Sequence, residues 1–113
     1  MLDKVIEIGI LFDFYGKLLT EKQQKALKLY YYQDLSLSEI AERLDISRQG
    51  VYDHIHRGED ILKSYEKSMG LVARYKFLKT EIEELDEYIK DKSINYTVKN
   101  ELIERIERIK KRL

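Results

Sequence analysis

From Leu2 to Tyr15 the apolar residues Val5, Ile8, Phe12 and Tyr15 recur at helical spacing, and Gly16 stands where a C-terminal cap falls. The pattern predicts a first helix over about Leu2 to Tyr15. Further apolar residues nearly surround its axis, which predicts burial on two sides or a contact with a second subunit. A strand is the alternative over Val5 to Ile10, where the apolar positions also fit a period of two. Thr20 with Gln23, and Ser36 with Glu39, are spaced as capping boxes, in which each side chain satisfies a backbone amide that the first turn leaves free. They predict helices from about Glu21 to Tyr32 and from Leu37 to about Leu44. The former should turn Gln23, Ala26, Leu27, Tyr30 and Tyr31 inward. After an Asp45-Ile46 turn, Ser47 is a good N-cap for a helix from Arg48 to about Ser68, broken at Gly70.

Beyond Gly70 the pattern changes. Leu71, Tyr75, Leu78, Ile82, Leu85 and Ile89 alternate in steps of four and three, a heptad seam. Val98, Leu102, Ile106, Ile109 and Leu113 make a second seam, and Asp91 to Asn95 leaves room for a helix reversal. The seams predict an antiparallel hairpin, or a zipper against a second copy of the chain. Glu101–Arg105, Glu104–Arg108 and Glu107–Lys111 are spaced as ion pairs four residues apart, worth about 0.2–0.5 kcal/mol each on a solvated face. The expected organisation is all-α: an N-terminal helix and a helix-turn-helix over residues 1–69, then a heptad-patterned helical hairpin over 70–113.

The stretch Ser36 to Ile55, S-L-S-E-I-A-E-R-L-D-I-S-R-Q-G-V-Y-D-H-I, carries the functional argument. Ala41 sits where a second helix would approach too closely for a larger side chain, and Ile40, Leu44, Ile46, Val51 and Ile55 close a core around that contact. Arg48, Gln49, Tyr52, Asp53 and His56 remain on the outer face of the second helix. The alternative is a plain helical hairpin, but the spacing of Ala41, Ile46, Ser47, Val51 and Ile55 favours a helix-turn-helix. In that motif the second helix enters the major groove with its N-terminal residues foremost. Arg reads guanine and Gln reads adenine bidentately, which suits Arg48 and Gln49. The predicted nucleic-acid contacts are Arg48, Gln49, Tyr52 and His56, with Arg57 near the backbone.

Composition narrows this picture. The chain has 113 residues, 21 Lys+Arg against 21 Asp+Glu, and no Cys, Pro or Trp. Absence of Cys excludes disulfides, thiolate metal sites and thiol nucleophiles. Absence of Pro, with only five Gly, argues against a turn-rich β-sandwich. The charge balance excludes a broadly polybasic surface. Between Ser36 and Arg57, Arg43, Arg48 and Arg57 are outnumbered by Glu39, Glu42, Asp45 and Asp53. Phosphate neutralisation supplies most non-specific affinity, so the motif alone should bind duplex weakly. Asp53 is adverse there unless it reads a cytosine amino group. The apolar run Val5 to Tyr15 is too short to span a bilayer, and a cytoplasmic protein without membrane insertion is expected.

Two resemblances follow from these residues. Leu18 to Leu62 is similar to region four of bacterial sigma factors, with the same helix order before the motif. The whole chain more closely resembles the YlxM family of small bacterial proteins, through Ile8 to Gln23 (I-G-I-L-F-D-F-Y-G-K-L-L-T-E-K-Q), Leu29 to Ala41 (L-Y-Y-Y-Q-D-L-S-L-S-E-I-A) and Ile46 to Ile55 (I-S-R-Q-G-V-Y-D-H-I). That resemblance implies a sigma-region-four-like fold in a regulatory protein linked to the signal recognition particle pathway. The implied partners are the particle's RNA or duplex DNA, and the particle's GTPases. Where sigma factors carry basic residues after the motif's first Arg, this chain has Gly50, Tyr52 and Asp53. The departure argues against promoter recognition and towards an RNA or protein partner.

Other constellations carry less. His54 and His56 point to nearly opposite sides of a helix, so they cannot share a metal, and His56 with Asp60 makes half a site at most. Tyr30-Tyr31-Tyr32 suggests a base-stacking platform, but consecutive helical residues face three directions, so one should be core and another surface. No phosphate loop, GxSxG or nucleophile–base pair is present. The sequence therefore predicts no enzyme, no cofactor and no metal, and a homodimer built on the first helix or the seam from Leu71.

Overall fold

Helix α1 (Leu2–Tyr15) buries Ile8, Leu11 and Tyr15, one stripe of a 3.6-residue repeat. A strand would have placed Ile6, Ile8 and Ile10 together; instead Ile6 is exposed and Ile10 half-buried, so the helical period wins. Val5 and Phe12, expected on the inner face, are also only half-buried. Leu2, Ile6 and Phe14 remain exposed on the other side. A single 3-10 turn, Gly16–Leu18, leads to α2 (Glu21–Leu27), whose capping box forms as the spacing predicts. The Thr20 hydroxyl accepts from the Gln23 amide at 3.2 Å, and the Gln23 side chain accepts from the Thr20 amide at 3.1 Å.

The computed structural model describes residues 2–113, and α2 departs from expectation at its end. From Lys28 to Tyr32 the chain winds as a π-helix, and the Gln33 amide donates to the Lys28 carbonyl at 3.2 Å. The wider turn carries an extra residue and shifts the inward face, burying Leu29 and leaving Tyr30 and Tyr31 half-buried. Asp34 then adopts a left-handed conformation that ends the turn.

Helices α3 (Leu37–Leu44) and α4 (Arg48–Met69) follow. The Ser36–Glu39 capping box is complete, and the Glu39 carboxyl, hydrogen-bonded by the Ser36 amide, titrates below the usual glutamate value. Asp45 closes α3 in the left-handed region at φ 55°, which Asp tolerates better than most non-glycine residues. The Ile46 amide then donates to the Ala41 carbonyl at 3.1 Å, and the Ser47 hydroxyl accepts from Gly50 at 2.9 Å. Three residues thus turn the chain and leave few helix-end groups unsatisfied. Ile40, Val51 and Ile55 are buried, with Ala41, Leu44 and Ile46 packed beside them.

Another close approach in this unit lies at Gly58. A Cβ on Gly58 would stand 2.9 Å from Leu27 Cδ1, so α4 packs closely on α2 there. Past α4, Gly70 turns left-handed at φ 63° and α5 (Leu71–Lys90) begins directly after this residue, which has no side chain to cap it. Its first amides are satisfied from a distance. Leu71 donates to the Tyr15 hydroxyl at 3.1 Å and Val72 to Glu66 Oε1 at 2.9 Å, while Tyr15 donates to the same Glu66 oxygen at 2.6 Å. Burial, and then the bond to Glu66, push the Tyr15 phenol above the ordinary tyrosine value.

The chain divides into two compact units, the first ending at Val72 and the second running from Ala73 to Leu113. The Tyr15–Glu66 bonds explain why Leu71 and Val72 belong with the first. The second unit contains the rest of α5 and α6 (Tyr96–Lys110), whose first amides are capped by Asn95. Its heptad seam closes in part only. Ile89 and Ile106 are buried, but Leu78, Leu85, Val98 and Ile109 are exposed, so the hairpin does not close its seam along the whole length. The expected Glu101–Arg105 pair forms at 3.1 Å. Glu107 instead pairs with Lys110 at 3.5 Å, because Lys110 is already held on that side by Asp86.

Asp86 is the charged centre of the second unit. Its Oδ2 accepts from Lys90 and Lys110, each at 3.0 Å, while its buried Oδ1 has no partner among the described residues. The bonds from Lys90 and Lys110 hold the Asp86 carboxyl below its usual value, and the bond to Asp86 raises the Lys110 ammonium. A lowered carboxyl stabilises above its unfolded value near pH 4 and loses that as pH falls through the folded value; a raised ammonium stabilises below about pH 10 and loses that as pH rises through its own. Amide-exchange protection in α6 is therefore expected to be flat between about pH 5 and 9 and to fall on both sides, with the acid limb flattened in Asp86→Asn. Equal acid limbs in both proteins would remove Asp86 from this role.

Candidate nucleic-acid interface

The first three turns of α4 carry the predicted contact residues. Arg48, Gln49, Tyr52, Asp53 and Arg57 are exposed and His56 is half-buried. Positions 48, 52 and 56 form one row of the helix surface and 49, 53 and 57 the adjacent row. The inner face of the same turns is Val51 and Ile55, which anchor α4 and so fix the direction in which the outer rows point. Arg48 and Arg57 make no ion pair or hydrogen bond among the described residues.

Asp53 has a role that charge counting hides. Gln49 Nε2 donates to Asp53 Oδ1 at 3.1 Å, so the carboxylate holds the amide in one orientation. An amide nitrogen carries two hydrogens, which leaves one donor and the amide oxygen for a base edge. Asp53 thus preorganises Gln49 as well as adding an adverse charge.

Tyr52 and His56 also face a cavity of about 140 Å³ at the back of this surface. Their rings lie 3.9 Å apart, centre to centre, tilted by 52°. Tyr30 and Tyr31, edge-to-face at 5.0 Å, form another wall, and Leu37 and Ile55 complete the apolar lining. The polar lining is Lys4 with Glu59. Glu59 is only 4% exposed, yet it is charged-partnered: Lys4 Nζ lies 3.5 Å and His56 Nδ1 4.0 Å from its Oε2. The Tyr31 hydroxyl donates to Glu59 Oε1. Burial, followed by that bond, drives the Tyr31 phenol far above the ordinary tyrosine value.

The tyrosine run behaves differently from the sequence expectation, since none of the three is fully core. Tyr32 is about half exposed and meets Phe12 edge-on at 5.9 Å, while Tyr30 and Tyr31 line the cavity. Their placement follows from the π winding. Glu59 and Lys4 were not singled out by the sequence. Glu59 could have been found by extending the inward stripe Val51, Ile55, Gly58 to the next positions, where a carboxylate interrupts it; Lys4 carries no local signal. His54 is half-buried and does not join His56. Among the described residues no group of three or more His, Asp or Glu could hold a metal.

A tight turn between two capped helices, with a polar row on the second, defines this chain as a helix-turn-helix protein. Residues 2–109 match the family model described as "Putative helix-turn-helix protein, YlxM / p13 like". The UPF0122 protein of Halalkalibacterium halodurans is 48% identical over 89 residues, covering 79% of this chain and 82% of that one. That of Caldanaerobacter subterraneus is 49% identical over 89 residues, with 79% and 76% covered. That of Shouchella clausii is 44% identical over 110 residues, spanning 96% and 99%. The chain belongs to the UPF0122 family of YlxM-like proteins. Among the described residues no helix is long and apolar enough to cross a membrane.

Proposed function

We propose that this protein is a cytoplasmic regulatory nucleic-acid-binding protein of the signal recognition particle pathway, and that it binds the particle's RNA. Arg48, Gln49, Tyr52 and His56 contact the bases and Arg57 the backbone. The observation that carries the reading is the outer surface of α4: an exposed Arg48 beside a Gln49 already oriented by Asp53. Arg and Gln so presented match guanine and adenine edges. The pathway link rests on the likeness to the YlxM family. RNA is preferred to duplex DNA because Gly50, Tyr52 and Asp53 stand where sigma factors carry basic residues after the motif's first Arg, which argues against promoter reading.

Anisotropy of labelled signal recognition particle RNA, and of random duplex DNA, across a salt series tests this directly. Tight, salt-steep binding of the RNA over the duplex is expected. No binding of either at low salt overturns the reading and favours an adaptor. In that second reading the helix-turn-helix is a scaffold and a protein, such as one of the particle's GTPases, is the partner. The acidic excess around α3 and α4 supports it.

The half-open seam of the second unit supports a homodimer in either case, since its residues Leu78 and Leu85 are exposed on α5. Replacing Leu78 and Ile82 together with Glu is expected to halve the mass in light scattering. An unchanged mass would show that this seam is not the interface.

A further inference from the structure

The cavity behind the outer rows of α4 has no part in major-groove reading, yet it shares Tyr52 and His56 with them. We infer that this cavity receives a single unpaired base, guanine before the others, turned out of the nucleic acid that binds along α4. The inference rests on the nucleic-acid-binding reading and names the kind of target: a strand with an extrudable base, not a continuous duplex.

Three observations support it. Half of the lining residues carry rings, Tyr30, Tyr31, Tyr52 and His56, and the last two lie 3.9 Å apart centre to centre. Aromatic side chains stack on bases whatever the base, because every base has a π-face. At about 140 Å³ the space suits one ring system, and two of its lining residues, Tyr52 and His56, belong to the outer row of α4.

The third observation sets the preference. Glu59 is almost wholly buried and lines the cavity, and an ionised carboxylate only accepts hydrogen bonds. Tyr31 occupies one of its acceptor positions and Lys4, half exposed, balances its charge at 3.5 Å; acceptor capacity remains. Guanine offers two adjacent donors on its pairing edge, the ring N–H and the amino group, which match a carboxylate. Uracil offers one donor between two carbonyl oxygens, and those oxygens would be driven against the carboxylate. Adenine and cytosine, each with one amino group beside an acceptor, fall between.

The test uses the full chain and labelled RNA hairpins identical except for one bulged nucleotide, G, A or U, or none, with matching DNA hairpins alongside. The wild type is expected to bind the bulged-G hairpin about tenfold more tightly than the fully paired one, with bulged U close to fully paired. Glu59→Gln, checked by thermal melting, should bring bulged G and bulged U within about twofold of each other. Tyr52→Leu, at a half-exposed position, should weaken every bulged hairpin towards the paired one. Equal wild-type affinity for bulged G, bulged U and the paired hairpin overturns the cavity inference while leaving nucleic-acid binding intact. Binding of no hairpin overturns both. The wild-type comparison decides even if Glu59→Gln does not fold.

Discussion

Gly58→Leu is expected to lower the melting temperature of the first unit by about 15 °C. α4 and α2 meet at this glycine with no room for a side chain, since even a Cβ would stand 2.9 Å from Leu27 Cδ1 and 3.4 Å from its Cγ. Leu27 is 2% exposed and packed in the core, so it can give way by tenths of an ångström to a Cβ but not to a whole leucine side chain. Overpacking such a contact costs about 3 kcal/mol at the upper end of the usual range. One kcal/mol moves the midpoint of a domain this size by about 4–8 °C, which gives the figure above. Gly58→Ala separates the causes. Alanine gains about 1 kcal/mol of helix propensity against its smaller clash, so it should melt within a few degrees of wild type. Circular dichroism melts of the three proteins check this, and a Leu variant as stable as wild type would mean that α2 and α4 can part.

The double change Arg48→Ala, Gln49→Ala is expected to weaken RNA binding about 100-fold with no fall in melting temperature. Each bidentate base contact discriminates by about 1–3 kcal/mol, so the loss of two at about 1.4 kcal/mol each gives two powers of ten. Stability should hold because both side chains are exposed, and alanine is a good residue in the first helical turn. Asp53→Asn is the informative companion. It keeps a hydrogen-bond acceptor for Gln49 while removing the adverse charge, so it should tighten binding. Wild-type affinity in the double variant would take base reading away from the start of α4.

Elements whose signals are local were readable in the sequence. The two capping boxes form with the partners that their three-residue spacing implies, because the geometry of a first helical turn leaves no other choice. Ser47 caps α4, and the Asp45–Ile46 turn falls between two helices of the expected length. What was not legible depends on distant partners. Nothing in Leu29 to Tyr32 distinguishes α from π winding; the choice is made by what lies across from the turn, Phe12 for Tyr32 and Glu59 for Tyr31. The heptad spacing showed which residues of α5 share a face, but not how much of that face α6 would cover. For the interface, the outer residues of α4 were visible as polar positions on an apolar-backed helix. The cavity beside them was not, because Lys4, Tyr31 and Glu59 come from three separate segments.

The π turn at Lys28–Tyr32 has a consequence for descent. A π turn covers its length with one residue more than an α-helix needs, and each α-helical residue advances the face by about 100°. Substituting a tyrosine there alters one wall of the cavity, whereas deleting one residue would let the segment relax to ordinary helix and rotate the whole wall away. The trait is thus gained or lost through chain length, a single codon at a time. A relative one residue shorter between Gln23 and Leu35 would keep every cap and the helix-turn-helix, yet have no pocket behind it.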